Sequence, residues 1–122
     1  MQLLPHPESA AGPVRQLDAT AGYGSDGALR LTWRLAGNVS RLRIPPATTP
    51  SRADELWRHT CFEAFVADPH STGYLELNFS PSGEWAAYGF RNYRTGMAQL
   101  PLKKPPAARW QQTADELTLA VD

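Results

Sequence analysis

The chain has 122 residues, which is enough for one domain with its own hydrophobic core and leaves little room for a second. Its 12 basic and 12 acidic side chains give a formal net charge of zero, so no overall positive field attracts nucleic acid or an anionic membrane surface. The single cysteine excludes an internal disulfide and favours a reducing compartment, so we expect one cytoplasmic domain over residues 1–122.

The N-terminus lacks the features of a secretory signal. No basic residue precedes Arg15, and the first apolar run ends at Pro5. No apolar stretch is long enough to cross a bilayer. We therefore expect neither export nor a membrane partner.

The sequence pattern in the first half of the chain predicts short strands. Eleven prolines and nine glycines divide the sequence into short segments, and no window sustains the apolar spacing of an amphipathic helix. In ALRLTWRLAG, apolar residues alternate with polar ones over positions 29–35, which predicts a half-buried antiparallel strand. SRLRIPP repeats the alternation through Leu42 and Ile44 before two prolines, which predicts a second, brief strand.

The segment LWRHTCFEAFV, residues 56–66, carries most of the chemistry-bearing side chains. Read as a strand, it places Trp57, His59, Cys61 and Glu63 on one face, since side chains at every second position point the same way. That row is compatible with a metal site, a reactive thiol, a ligand-binding surface or an ordinary polar strand face.

Two hairpins are predicted in the second half. GYLELNFSPSGEWAAYGF has alternating residues before an SPSG turn, and its returning strand is apolar on both sides, so either Trp85 or Tyr88 could face the core. Lys103 and Lys104 before two prolines predict a solvated bend. ARWQQTADELTLAVD predicts a second hairpin whose alternation continues to Val121, so we expect the closing strands of the domain to be missing. The many short strands separated by Gly and Pro turns predict an all-β antiparallel sandwich or barrel.

Metal binding and thiol catalysis are the weaker interpretations of the row. Successive same-face residues on a strand are roughly 6–7 Å apart, so His59, Cys61 and Glu63 together span too far to bind one zinc ion. The same spacing puts His59 beyond hydrogen-bond reach of the Cys61 thiol. We predict no metal site, no cofactor and no catalytic residue.

A ligand-binding surface fits the residue types better. Trp57 could stack on the C–H face of a sugar ring, while Glu63, Glu76 and Asn78 could bind its hydroxyl groups if their strands are neighbours. The alternative is structural: Trp57 fills the edge of the core, the glutamates pair with arginines, and Asn78 caps the turn.

Three segments together resemble the bacterial DOMON-like proteins related to family 9 carbohydrate-binding modules. They are DELWRHTCFEAFV, YLELNFSPSGEWAAY and FRNYRTGM, which occur in the same order and include the TCFE and NFSPSG sequences. The resemblance covers most of the chain. It implies an immunoglobulin-like β-sandwich with a sugar or haem site on one sheet, in which Trp57 is one wall of an aromatic clamp and Glu63 binds ring hydroxyls.

From the residues and the resemblance, we predict a non-catalytic module that binds a carbohydrate-like small molecule through Trp57, Glu63, Glu76 and Asn78. One alternative is a structural or interaction domain whose open face is covered by a strand-edge partner or by a second copy of the chain. Another is a haem-binding domain, for which Met97, His6, His59 and His70 are the available axial ligands.

Overall fold

The structure is a computed structural model that describes residues 1–10, 12–102 and 104–122. Its nine strands, in chain order, are β1 (Gln2–Leu3), β2 (Val14–Tyr23), β3 (Leu29–Gly37), β4 (Phe62–Ala67), β5 (Tyr74–Phe79), β6 (Trp85–Phe90), β7 (Ala98–Gln99), β8 (Ala108–Gln112) and β9 (Glu116–Val121). Two 3₁₀ helices, Val39–Arg41 and Leu56–Arg58, lie between β3 and β4. No helical segment of the described ranges has the length and apolar character that spanning a bilayer requires.

The strands form two antiparallel sheets, with the orders β1-β2-β3-β9-β8 and β4-β5-β6-β7. The predicted fold class is confirmed: the described residues are all-β and form two antiparallel sheets, as in a β-sandwich. The chain divides into two compact units. Unit 1 comprises Met1–Leu42 and Pro106–Asp122, and unit 2 comprises Arg43–Pro105.

Unit 1 is organised around the pairing of β3 with β9. Leu31, Trp33 and Leu35 lie opposite Val121, Leu119 and Leu117, and all six side chains are buried. Because each member of a pair points to the same side of the sheet, the six form one continuous apolar face. The alternation predicted for residues 29–35 and for the last hairpin is therefore confirmed.

The two faces of the sheet in unit 2 differ in polarity. In the register of β4, β5 and β6, Phe62 lies opposite Phe79, and Phe79 lies opposite Trp85. All three are buried, and they share one face of the sheet, here called the apolar face. The other face, here called the cleft face, carries Glu63 opposite Asn78, and next to that pair Glu76 opposite Tyr88. The hairpin with its SPSG turn is confirmed, and both Trp85 and Tyr88 are buried, on opposite faces.

The strand predicted for residues 56–66 is wrong in its first half. Glu55 has a left-handed backbone with φ of 59°, and the chain then forms the 3₁₀ helix Leu56–Arg58 before β4 begins at Phe62. The N–H of Arg58 donates to the carbonyl of Glu55, at 3.2 Å. A turned backbone lacks the period of two, so Trp57, His59 and Cys61 do not form a strand row with Glu63.

One further predicted strand is absent, and one observed strand was not predicted. The segment with Leu42 and Ile44 forms no strand, because the 3₁₀ helix Val39–Arg41 turns the chain just before it. Sequence reasoning also missed β2, most of whose residues are exposed or half-buried on both faces. Lys104 is exposed, as predicted for a solvated bend, whereas Lys103 lies outside the described residues.

The buried face of unit 1 predicts a large cost for shortening Leu119, which is 0 % exposed. We expect Leu119→Ala to lower the free energy of unfolding by about 2–5 kcal/mol, because it removes buried methyl groups and leaves a cavity. The same substitution at Leu4, which is 82 % exposed, should change it by less than about 0.5 kcal/mol. Urea denaturation followed by circular dichroism measures both, and equal effects would contradict the assigned core.

Candidate ligand-binding site

A cleft of about 510 Å³ lies on the cleft face of unit 2, beside the 3₁₀ helix Leu56–Arg58. We call it the polar cleft. Its lining combines carboxylates, an amide and aromatic rings, contributed by Asp54, Glu55, Trp57, Glu76, Asn78, Tyr88, Phe90, Met97, Ala98 and Gln99. A more apolar groove of about 820 Å³ adjoins it. Four residues line both, namely Phe90, Met97, Ala98 and Gln99.

Trp57 is held at the mouth of the polar cleft by its neighbour. Leu56 is buried with Ala86 and Tyr88, so it anchors the short helix to the sheet. Trp57, one residue later, points away from this cluster and is 65 % exposed. The Arg58 guanidinium carbon lies 5.5 Å from the centroid of the indole, over one side of the ring. The structure therefore places Trp57 outside the core, with indole surface available to a ligand.

Asn78 and Glu76 form the inner polar part of the cleft. Alternation along β5 places both side chains on the cleft face, and the Asn78 Nδ2 donates to the Glu76 Oε1 at 3.1 Å. Asn78 is 4 % exposed, and its Oδ1 is buried without a hydrogen-bond partner in the described part of the chain. An unsatisfied buried acceptor costs about 1–3 kcal/mol, so a ligand that donates a hydrogen bond here would remove a defect of the free protein.

Asp54 and Tyr88 form a second polar pair in the cleft. The Tyr88 hydroxyl donates to the Asp54 carboxylate. Burial and this hydrogen bond to Asp54 raise the pKa of Tyr88 to about 12, and the charges of Asp54 and Glu76 add to the effect. Tyr88 therefore remains protonated at neutral pH and fixes the position of Asp54 beside Glu76.

Glu63 lies on the cleft face but does not line the polar cleft. It is opposite Asn78 on the neighbouring strand β4. Desolvation raises the pKa of the Glu63 carboxyl, and the negative charge of Glu76 raises it further. Of the four predicted ligand-binding residues, the structure thus brings Trp57, Glu76 and Asn78 together and leaves Glu63 next to them, one strand away.

Sequence reasoning missed Asp54, Tyr88 and Gln99. The pairing of Tyr88 with Glu76 follows from the hairpin register and could have been inferred from the SPSG turn. The position of Asp54 depends on the backbone turn at Glu55, which no residue type in the sequence marks. Gln99 belongs to a two-residue strand whose sequence has no strand-like alternation.

Metal binding, haem binding and thiol catalysis were the other interpretations of these residues. Within residues 1–10, 12–102 and 104–122, no group of three or more His, Cys, Asp and Glu side chains could hold a metal ion. Among the four candidate haem ligands, Met97 lines the polar cleft, whereas no histidine is among its described lining residues. Burial raises the pKa of the Cys61 thiol to about 12, with a contribution from the charge of Glu63.

No protein-family model, curated protein or solved structure matches this chain. The interpretation of the polar cleft therefore depends on its geometry and chemistry.

The raised pKa of Glu63 predicts that Glu63→Gln increases the free energy of unfolding by an amount that depends on pH. A carboxyl whose pKa is higher in the folded state favours folding when protonated, so its contribution declines as pH rises above the usual glutamate pKa of about 4.3. The variant should be more stable than the parent at pH 7, and the difference should shrink towards pH 4. Chemical denaturation at several pH values measures it. Glu8→Gln, an exposed control, should change the free energy of unfolding at pH 7 by less than about 0.5 kcal/mol, and a loss of stability at pH 7 in Glu63→Gln would contradict the prediction.

The raised pKa of Cys61 predicts a poorly reactive thiol. With a pKa of about 12, the thiolate is a minute fraction at pH 7.5, so iodoacetamide should label the native protein at least about a hundredfold more slowly than the denatured protein. Mass spectrometry of timed samples gives both rates. Equal rates would show that the thiol is accessible and ionised in the folded chain.

Proposed function

We propose that this chain is a DOMON-like, non-catalytic module that binds a carbohydrate-like small molecule in the polar cleft. The observation that carries the proposal is the combination of an indole that is 65 % exposed with an amide that is 4 % exposed and has an unpaired oxygen, both lining one cleft. The indole provides a stacking surface for the C–H face of a sugar ring. The amide and the nearby carboxylates bind its polar substituents.

The support from Trp57 is energetic as well as chemical. Leaving a tryptophan exposed forgoes the favourable free energy of burying a large apolar side chain. Here Leu56 already anchors the segment to the sheet, so Trp57 adds little to the packing of unit 2. A ligand that covers the indole recovers the unused apolar surface, which is the usual role of aromatic residues in small-molecule clefts.

Glu76 and Asn78 would orient the proposed ligand through hydrogen bonds. Their mutual hydrogen bond fixes the amide orientation, with Nδ2 towards Glu76 and Oδ1 left as an acceptor. A ring stacked on Trp57 would present its substituents to these acceptors. Glu63 would act from the neighbouring strand, through its charge and its position opposite Asn78.

A second candidate is an interaction domain, favoured by the edge of the same sheet. β4 is the terminal strand in the order β4-β5-β6-β7, and Phe65 on its cleft face is 61 % exposed. An open strand edge next to an exposed aromatic ring can accept a strand from a partner chain. Such a partner would cover Trp57 and Phe65 without any need for a small molecule.

The sugar proposal predicts that Trp57→Ala weakens binding without unfolding the protein. We expect monosaccharides to protect the native tryptophan fluorescence from acrylamide, since Trp33 and Trp85 are buried and Trp57 is the most exposed indole in the described chain. Trp57→Ala should lower the affinity at least about tenfold, close to 1.4 kcal/mol, and leave the melting temperature nearly unchanged. Isothermal titration calorimetry provides the affinities.

Tyr93→Ala is the matched control, because Tyr93 is 74 % exposed, lies next to an arginine that contacts its ring, and does not line the cleft. It should bind like the parent. Unchanged affinity in Trp57→Ala would contradict the sugar proposal. Protection of Trp57 that depends on protein concentration instead of sugar would favour the interaction domain.

A further inference from the structure

The polar cleft carries uncompensated negative charge. Three of its lining residues are acidic, and none of its described lining residues is Lys, Arg or His. Arg58 lies 3.4 Å from the carboxylate of Glu55 and balances that charge. Asp54 and Glu76 form no ion pair with any residue that the structure describes. A ligand therefore meets two carboxylates without counter-ions.

Arg52, two residues before Asp54 in the chain, has its guanidinium engaged by other groups. Arg52 donates to the carbonyl oxygens of Ala87 and Leu100, at 3.1 and 2.7 Å, and its guanidinium lies 4.4 Å from the centre of the Trp85 ring. It forms no ion pair with a described carboxylate of the cleft, although its positive charge acts on Tyr88. The charges of Asp54 and Glu76 are thus without a directly bound counter-ion in the described chain.

The hydrogen-bonding groups of the polar cleft also favour a ligand that donates hydrogen bonds. One N–H of the Asn78 amide donates to Glu76, and the Tyr88 hydroxyl donates its one proton to Asp54, so two of the three inner side-chain donors are used. Apart from the second N–H of Asn78, the side-chain groups that remain are acceptors: the buried Asn78 Oδ1 and the remaining lone pairs of the two carboxylates. An ammonium group is a donor only, with three N–H bonds, so it matches a set of groups in which acceptors outnumber donors. At the exposed rim, the Trp57 indole N–H and the Gln99 amide can still serve hydroxyl groups.

We infer that the ligand is cationic: a sugar-like ring that bears a primary amine, with its ammonium group among Asp54, Glu76 and Asn78 and its ring against Trp57. The inference rests on the proposed function and names the ligand class of the same cleft. The aromatic rings of Trp57, Tyr88 and Phe90 suit a cation, which is attracted to the face of an aromatic ring. An organic cation also fits better than a metal ion, since no described set of three metal-ligating side chains is close enough together.

The test compares ligands that differ in one substituent. Glucosamine, N-acetylglucosamine, glucose and glucuronate are titrated into the wild-type protein by isothermal titration calorimetry at pH 7 and low ionic strength. Glucosamine should bind at least about tenfold more tightly than glucose or N-acetylglucosamine, and glucuronate should bind most weakly. The advantage of glucosamine should decline as salt is added, because the two carboxylates are reached from solvent.

Glu76→Gln identifies the group responsible. This variant keeps the shape of the side chain and should reduce the preference for glucosamine over glucose at least about tenfold, while Glu8→Gln, which makes the same change outside unit 2, should leave the preference unaltered. Circular dichroism confirms that each variant is folded. The ligand series with wild-type protein decides the inference even if Glu76→Gln does not fold.

The outcomes separate the inference from the proposed function. Equal binding of glucose and glucosamine, or a preference for glucuronate, would overturn the cationic ligand and leave a sugar-binding module. Binding of a simple aromatic amine such as benzylamine, with no binding of any sugar, would support a cation site and overturn the sugar proposal. Failure of all these probes to bind would overturn both.

Discussion

If β4 slipped by one residue against β5, Phe62 would take the place of Glu63 on the cleft face and Glu63 would enter the apolar face. Side chains on a strand alternate strictly, so the register that pairs Phe62 with Phe79 also decides that Glu63 meets Asn78. Burying three aromatic residues on one face favours this register by far more than any polar contact on the other. The polar cleft is thus positioned by the apolar residues behind it.

The second constraint is the attachment of the segment before β4. Its backbone pairs with β6, where the N–H of Ala53 donates to the carbonyl of Trp85 at 2.9 Å, and Arg52 adds two hydrogen bonds to neighbouring carbonyls. Leu56 then packs on Ala86 and Tyr88. With both ends of this short segment fixed, Asp54 and Trp57 are held at the cleft without any regular strand, which is the kind of preorganisation that a binding site needs.

The sequence predicted the part of the site that depends on alternation and missed the part that depends on a turn. In β5, Leu75, Leu77 and Phe79 alternate with Tyr74, Glu76 and Asn78. The common face of Glu76 and Asn78 could therefore be read from the pattern. Residues 56–61 show a similar alternation, yet Glu55 adopts a φ of 59° without being a glycine, and the chain turns. β2 was missed for the opposite reason: its residues are exposed or half-buried and none is buried, so it has no apolar period to detect.

The polar cleft is also where the local preferences of unit 2 conflict. Glu63 and Glu76 have like charges on adjacent strands, the Asn78 Oδ1 is buried without a partner, and Glu55 holds an unfavourable backbone conformation. Each feature lowers the stability of the free chain. All three lie at or beside one cleft, where a donor-rich cation would satisfy the amide and offset the like charges. A ligand with those properties would stabilise the folded chain by an amount that rises with the logarithm of its free concentration above the Kd. The clustering of three local defects at one place is what distinguishes the cleft from an ordinary polar sheet face.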